Sequence, residues 1–226
     1  MSYKNALLNL WFIFLILNLL GNMFFGDAAS GLTIFSALIT SKNVTKYLMW
    51  STFWIIYLVK VKFWLHEVHP FFKKAWLGIN VSLLPIQKRY FGLVFIFLLI
   101  FNLPSITYYE EYLFREGVTN WYDGLANSIL FGFMHWVIGC CVATGIVQIF
   151  LGLWLTHCYL HPDSFILHGL IVKDGTFTST VNHTTFDLIG CLVLLVCLVQ
   201  NHLEDEKNGK EEKNQKVNTL DSRKIP

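Results

Sequence analysis

Long apolar runs separated by short polar insertions set the frame of this chain. Residues 6–25 are apolar over about one bilayer crossing, with polar side chains only at Asn9, Asn18 and Asn22. Asn18 and Asn22 stand four apart, so they share a helix face and are spaced to hydrogen-bond a neighbouring helix. Gly26 and Asp27 end this run, and residues 31–40 are apolar but too short to cross, which suits an interfacial segment. Residues 47–59 are apolar and aromatic, and reach crossing length if continued to Leu65. Residues 75–84 form a short stretch stopped by Pro85, as expected of a surface helix. Residues 90–103 lead through Pro104 and Ser105 into 108–115, one crossing kinked at the proline, which removes a backbone hydrogen bond and clashes with the preceding turn. Residues 117–124 pattern as a loop. Residues 125–160 are too long for one crossing, and Gly139 or Gly145 marks a break between helices over 125–138 and 142–160. A polar loop over 161–181 with Pro162, Gly169 and Gly175 precedes a last crossing over 182–199.

The pattern therefore predicts an all-α, polytopic transmembrane helical bundle of about six crossings. It divides into N-terminal helices and a basic loop (1–89), a helical core (90–201) and a polar tail (202–226). From Glu204 onward the tail has almost no apolar residues and cannot bury a core, so it is expected to be disordered. No internal repeat is evident.

Composition agrees with the pattern. The 226 residues are 54% hydrophobic and 14% charged, against about a quarter charged in soluble domains, and mean hydropathy is +0.50. The first run lacks a small-x-small cleavage site with the usual flanks, so it is read as a retained helix and not a removed signal peptide. Lys60, Lys62, Lys73, Lys74, Lys88 and Arg89 crowd one loop, which the positive-inside rule puts in the cytoplasm. An even number of crossings then puts both termini there too. The net charge of +2 is uninformative, and no basic patch interleaved with surface aromatics points to nucleic acid. Membrane lipids are the expected surroundings.

Cys140, Cys141, Cys158, Cys191 and Cys197 show no CxxC spacing, and most lie in apolar runs as small hydrophobes. His66, Glu67 and His69 read H-E-x-H, one residue short of the helical zinc motif, and are read as interfacial polar residues. His157, His161 and His168 are read the same way, since no Cys or carboxylate completes a tetrahedral set. The acceptor-like triplets at Asn43, Asn80 and Asn182 are too short to weigh. No metal site and no cofactor is expected.

The stretch Tyr108-Tyr109-Glu110-Glu111-Tyr112-Leu113-Phe114-Arg115 puts three formal charges at the end of an apolar run. Charges in or beside hydrocarbon are costly unless paired or used. Glu111 and Arg115 share a helix face in the order that favours an ion pair, while Glu110 points roughly 100° away and lacks that partner. One carboxylate held structurally and one open to chemistry is one reading; ordinary charges at an interfacial helix end is the other. His135 stands four residues after Phe131, and by itself suits an interhelical hydrogen bond as well as catalysis. His183 and Asp187 are four apart and share a face.

In chain order these read E-E-x-x-x-R at Glu110–Arg115, F-x-x-x-H at Phe131–His135 and H-x-x-x-D at His183–Asp187. This triple resembles the CPBP family, the CAAX prenyl protease and bacteriocin-processing intramembrane glutamic proteases, over roughly residues 101–199. The resemblance implies a membrane-embedded endopeptidase acting on a membrane-associated or lipidated protein or peptide. It implies that Glu110, with His135, binds and deprotonates a water, that His183, helped by Asp187, stabilises the oxyanion, and that Glu111 and Arg115 form a structural pair beside Phe131. The family often has Asn where Asp187 stands. Asn can donate a hydrogen bond and an ionised Asp cannot, so Asp187 is expected either to orient His183 or to mark a lost activity. Two other classes remain: an inactive scaffold or binding protein of the same fold, and an intramembrane metal-binding protein, although the paired E-x-x-H helices of di-iron bundles are absent from the sequence. Straight helices starting at Leu125 and near Asn182 would leave His135 roughly 16 Å deeper than Glu110 and His183.

Overall fold

The computed structural model describes residues 3–25, 31–75, 89–167 and 170–221. The elements are α1 (Tyr3–Phe25), α2 (Gly31–Thr40), α3 (Val44–Val68), a 3-10 turn (Pro70–Lys73), α4 (Arg89–Arg115), α5 (Trp121–Val137), α6 (Val142–Leu160), the hairpin β1 (Ser164–Leu167) and β2 (Leu170–Lys173), and α7 (Gly175–Asp221). The fold is all-α apart from that hairpin. Among the described residues four segments are long and apolar enough to cross a membrane: Val44–Val68, Gly92–Arg115, Val142–Leu160 and Gly175–Gln200. These make the chain a helical membrane protein. The expected surface helix over 75–84 falls, beyond Ala75, outside the described residues.

The break between α5 and α6 is at Gly139, whose φ of 112° is left-handed backbone that a side chain disfavours. Gly145, the alternative break, instead lies inside α6 at a close helix crossing. A Cβ on Gly132 would collide with the Gly145 carbonyl and the Ile149 side chain, and one on Gly152 would lie 3.0 Å from Ser128 Cβ. Small residues let the α5 and α6 backbones approach closely, as at membrane helix interfaces generally.

Two loop expectations are corrected. The segment 117–124 is helical from Trp121, because Asn120 Oδ1 accepts from the Tyr122 and Asp123 N–H groups at 2.9 and 3.1 Å and caps α5 four residues earlier than expected. The segment 161–181 contains the hairpin, and α7 then starts at Gly175 instead of 182, where Asp174 Oδ1 accepts from Phe177 N–H at 2.6 Å. The polar residues that suggested a loop are satisfied inside the helix. Thr178, Thr180, Asn182 and Thr185 each donate to the carbonyl four residues back, at 2.7 to 2.9 Å, so this threonine-rich stretch is buried without unpaired hydroxyls. The tail expected to be disordered continues α7 through Asp221; its Glu, Lys and Gln residues are good helix formers, and no proline intervenes before Pro226.

Apolar clusters among the described residues join the elements. Leu58, Phe114, Phe131, Leu151 and Trp154 unite α3 to α6. Ile34, Ala37, Tyr47, Phe165 and Val181 bring α2 and β1 onto α3 and α7. Ile96, Leu103, Cys191 and Leu198 hold α4 along α7. Asn18 serves as its spacing suggests: its Nδ2 donates to Asn102 Oδ1 at 2.7 Å, tying α1 to α4, while Asn102 Nδ2 donates to Leu98 O at 2.7 Å.

Candidate functional site

Helix α4 brings the two adjacent glutamates to the interior by its last turns. Glu111 and Arg115 are both fully buried, with Arg115 Nε 3.2 Å from Glu111 Oε2. The two atoms are close but not aligned for a hydrogen bond. Arg115 Nη2 donates to Gly152 O at 3.4 Å, and its guanidinium lies over the Phe131 ring, 4.6 Å from the centroid. A buried charge in this setting persists because it is paired on several sides.

His183 is the meeting point. Its Nδ1 donates to Glu111 Oε1 at 2.8 Å. On the opposite edge of the ring, Nε2 faces Glu110 Oε2 at 3.7 Å and Asp187 Oδ2 at 3.5 Å. Glu111 thus has two roles, partner of Arg115 and orienter of His183. Asp187 stands at Nε2 beside Glu110, and Nδ1 belongs to Glu111. The i, i+4 spacing of His183 and Asp187 shows a shared face but not which nitrogen meets the carboxylate. Glu110 is the most open of the pair, its side chain 30% exposed against 0% for Glu111.

Phe131 carries the constellation over to α5. Its ring packs edge-on against His183 at 5.8 Å and against His135 at 4.5 Å between centroids. His135 Nδ1 lies 2.9 Å from the Phe131 carbonyl; since that oxygen only accepts, Nδ1 donates, and the Nε2 lone pair is left to accept or to take up a proton. No hydrogen bond joins His135 to Glu110 directly. The two imidazoles expected at different depths both pack against the one Phe131 ring. His183 lies eight residues into α7, roughly 12 Å from its start, and not at the mouth of the helix.

Sequence reasoning missed the threonine pair behind the cluster. Thr107 and Thr184 hydroxyls are 2.7 Å apart and link α4 to α7 one residue from His183. Thr176 donates to Glu116 at 2.7 Å and repeats that link nearer the helix ends. Nothing in local spacing signals either contact, since the partners lie 77 and 60 residues apart.

The remaining candidates are elsewhere. His69 Nδ1 accepts from Phe71 N–H and caps the 3-10 turn, and His66 Nε2 lies 3.6 Å from Cys141 Sγ. Burial pushes the Cys140 thiol up to about 11, so it is a poor nucleophile. The rings of His157 and His161 lie 4.7 Å apart, tilted by 50°; His168 falls outside the described residues. Among the described residues no group of three His, Cys, Asp or Glu side chains is arranged to hold a metal ion. No family model matches this chain, and neither a curated protein nor a solved structure matches it.

Proposed function

We propose that this chain is a membrane-embedded glutamic endopeptidase of the CPBP type, crossing the bilayer about six times with both termini cytoplasmic. It hydrolyses a peptide bond of a membrane-associated or lipidated protein or peptide. The observation that carries the reading is His183, held by Glu111 on one nitrogen and facing Glu110 and Asp187 on the other.

In this mechanism Glu110, the more exposed acid, takes a proton from a water that His135 Nε2 also holds. The water oxygen attacks the peptide carbonyl, and His183 Nε2–H donates to the oxyanion, a kind of donor whose removal typically costs about 10²–10³ in rate. As the tetrahedral intermediate collapses, the proton on Glu110 passes to the leaving amine. Glu111, Arg115 and Phe131 fix the rings and do not touch the reacting atoms.

The test is cleavage of candidate membrane peptides by purified, reconstituted protein. Glu110→Gln abolishes cleavage while Lys210→Ala, in the polar tail, leaves it intact; equal cleavage by both variants refutes the mechanism. One observation favours a second reading, an inactive scaffold: Asp187 adds a carboxylate at the nitrogen that must face the oxyanion. That reading requires no cleavage from wild type or from Asp187→Asn.

A further inference from the structure

One concavity among the described residues lies away from the glutamates. A cavity of about 490 Å³ opens between the start of α3 and the facing ends of α5, α6 and α7, well within the range of small-molecule sites, about 300–1,000 Å³. Four tryptophans line it: Trp50, Trp54, Trp121 and Trp154. Trp54 and Trp154 stack at 5.8 Å, and Trp121 stacks on His157 at 6.2 Å. Trp54 also carries a buried Nε1–H without a hydrogen-bond partner. At the rim, Lys46 Nζ is 2.8 Å from Asp163 Oδ2, and Tyr47 donates to the same carboxylate oxygen at 3.1 Å.

Two features narrow the occupant. Several indole faces around one space bind a cation without a fixed hydrogen-bond geometry, and a quaternary ammonium, which has no N–H to satisfy, suits them best. The rim bears one positive and one negative side chain already neutralising each other. A ligand of single charge would strand Lys46 or Asp163, whereas a zwitterion exchanges one ion pair for two and leaves no net charge behind. We propose that this cavity binds a phosphocholine-type zwitterion, with the trimethylammonium among the tryptophans near Asp163 and the phosphate at Lys46. The proposal does not rest on the peptidase reading.

The experiment uses the full chain in a maltoside detergent, with indole fluorescence followed while phosphocholine, phosphoethanolamine, tetramethylammonium and inorganic phosphate are titrated. Saturable quenching is expected for phosphocholine. Phosphoethanolamine, with the same charges but a hydrated primary ammonium, binds at least about fivefold more weakly. Trp121→Leu and Lys46→Ala each weaken phosphocholine; both side chains are about half exposed, so the fold is kept, and an unchanged thermal midpoint verifies this. Native mass spectrometry from nanodiscs then separates the two sources. Retained phosphatidylcholine over phosphatidylethanolamine assigns a lipid head group, and loss of both lipids with phosphocholine still bound assigns a soluble ligand. Equal affinity for both zwitterions, no saturable binding, or variants that bind like wild type overturns the proposal.

Discussion

A single carboxylate, Glu111, holds two partners at once, Arg115 from its own helix and His183 from α7. Removing one member of a buried ion pair typically costs about 3–5 kcal/mol, because the other charge is left uncompensated. Glu111→Gln is therefore expected to lower unfolding stability by that order, measurable by thermal or denaturant unfolding in detergent, whereas Glu110→Gln, partly exposed, is expected to unfold close to wild type. Loss of cleavage in both, with loss of stability only in the first, would separate the supporting acid from the reacting one. Asp187 gives a prediction of opposite sign. If the oxyanion forms at His183 Nε2, an amide at 187 donates where an ionised carboxylate repels, so Asp187→Asn is expected to keep or raise kcat. A loss of a hundredfold or more would show that the negative charge at 187 is needed. Phe131, with no exposed surface and rings of both histidines against it, is expected to cost about 3–5 kcal/mol as Phe131→Ala.

At the scale of elements, the α5–α6 pair sets how closely the site's two walls meet. Gly132→Ala drives a methyl into the Gly145 carbonyl and Ile149, and overpacking of this kind costs about 1–3 kcal/mol. Gly139→Ala strains the turn, by about 1–3 kcal/mol, without touching that contact. Unfolding measurements on both should show losses of similar size, with cleavage impaired more by Gly132→Ala. The helices were legible where hydrophobic periodicity and punctuation agree: the 142–160 expectation coincides with α6, and Asn18 finds a partner on another helix. What was illegible lies where side chains do backbone work. Thr178, Thr180, Asn182 and Thr185 look polar in sequence, yet each folds its donor onto its own helix, so burial and polarity coexist. Asn120 was read inside a loop although it is the cap that begins α5. The Glu111–Arg115 pair was legible from spacing alone; the Glu111–His183 bond was not, because it spans 72 residues.

For the whole molecule, the proposed topology makes a simple accessibility prediction. Cysteines introduced at Lys74 and Lys210 in a background lacking native thiols should react with an impermeant maleimide from the same side of sealed vesicles, and one at Ile166 from the other. Labelling of Ile166 with Lys74 would put the hairpin and the basic loop together and reduce the number of crossings. The hairpin shows the cross-strand pair Ile166 and Ile171 on its exposed face, at 66% and 77% exposure, consistent with a rim that dips toward head groups. The threonine bridges and the shared carboxylate all lie along one seam, α4 against α7. Because the same seam both seals the bundle and aims the reactive groups, any sliding of one helix past the other by even a fraction of a turn unmakes the chemistry. A peptidase of the proposed kind would then be switched not by hiding its acids but by losing their alignment, and bilayer thickness or lateral pressure, which tilt long helices, would act directly on turnover.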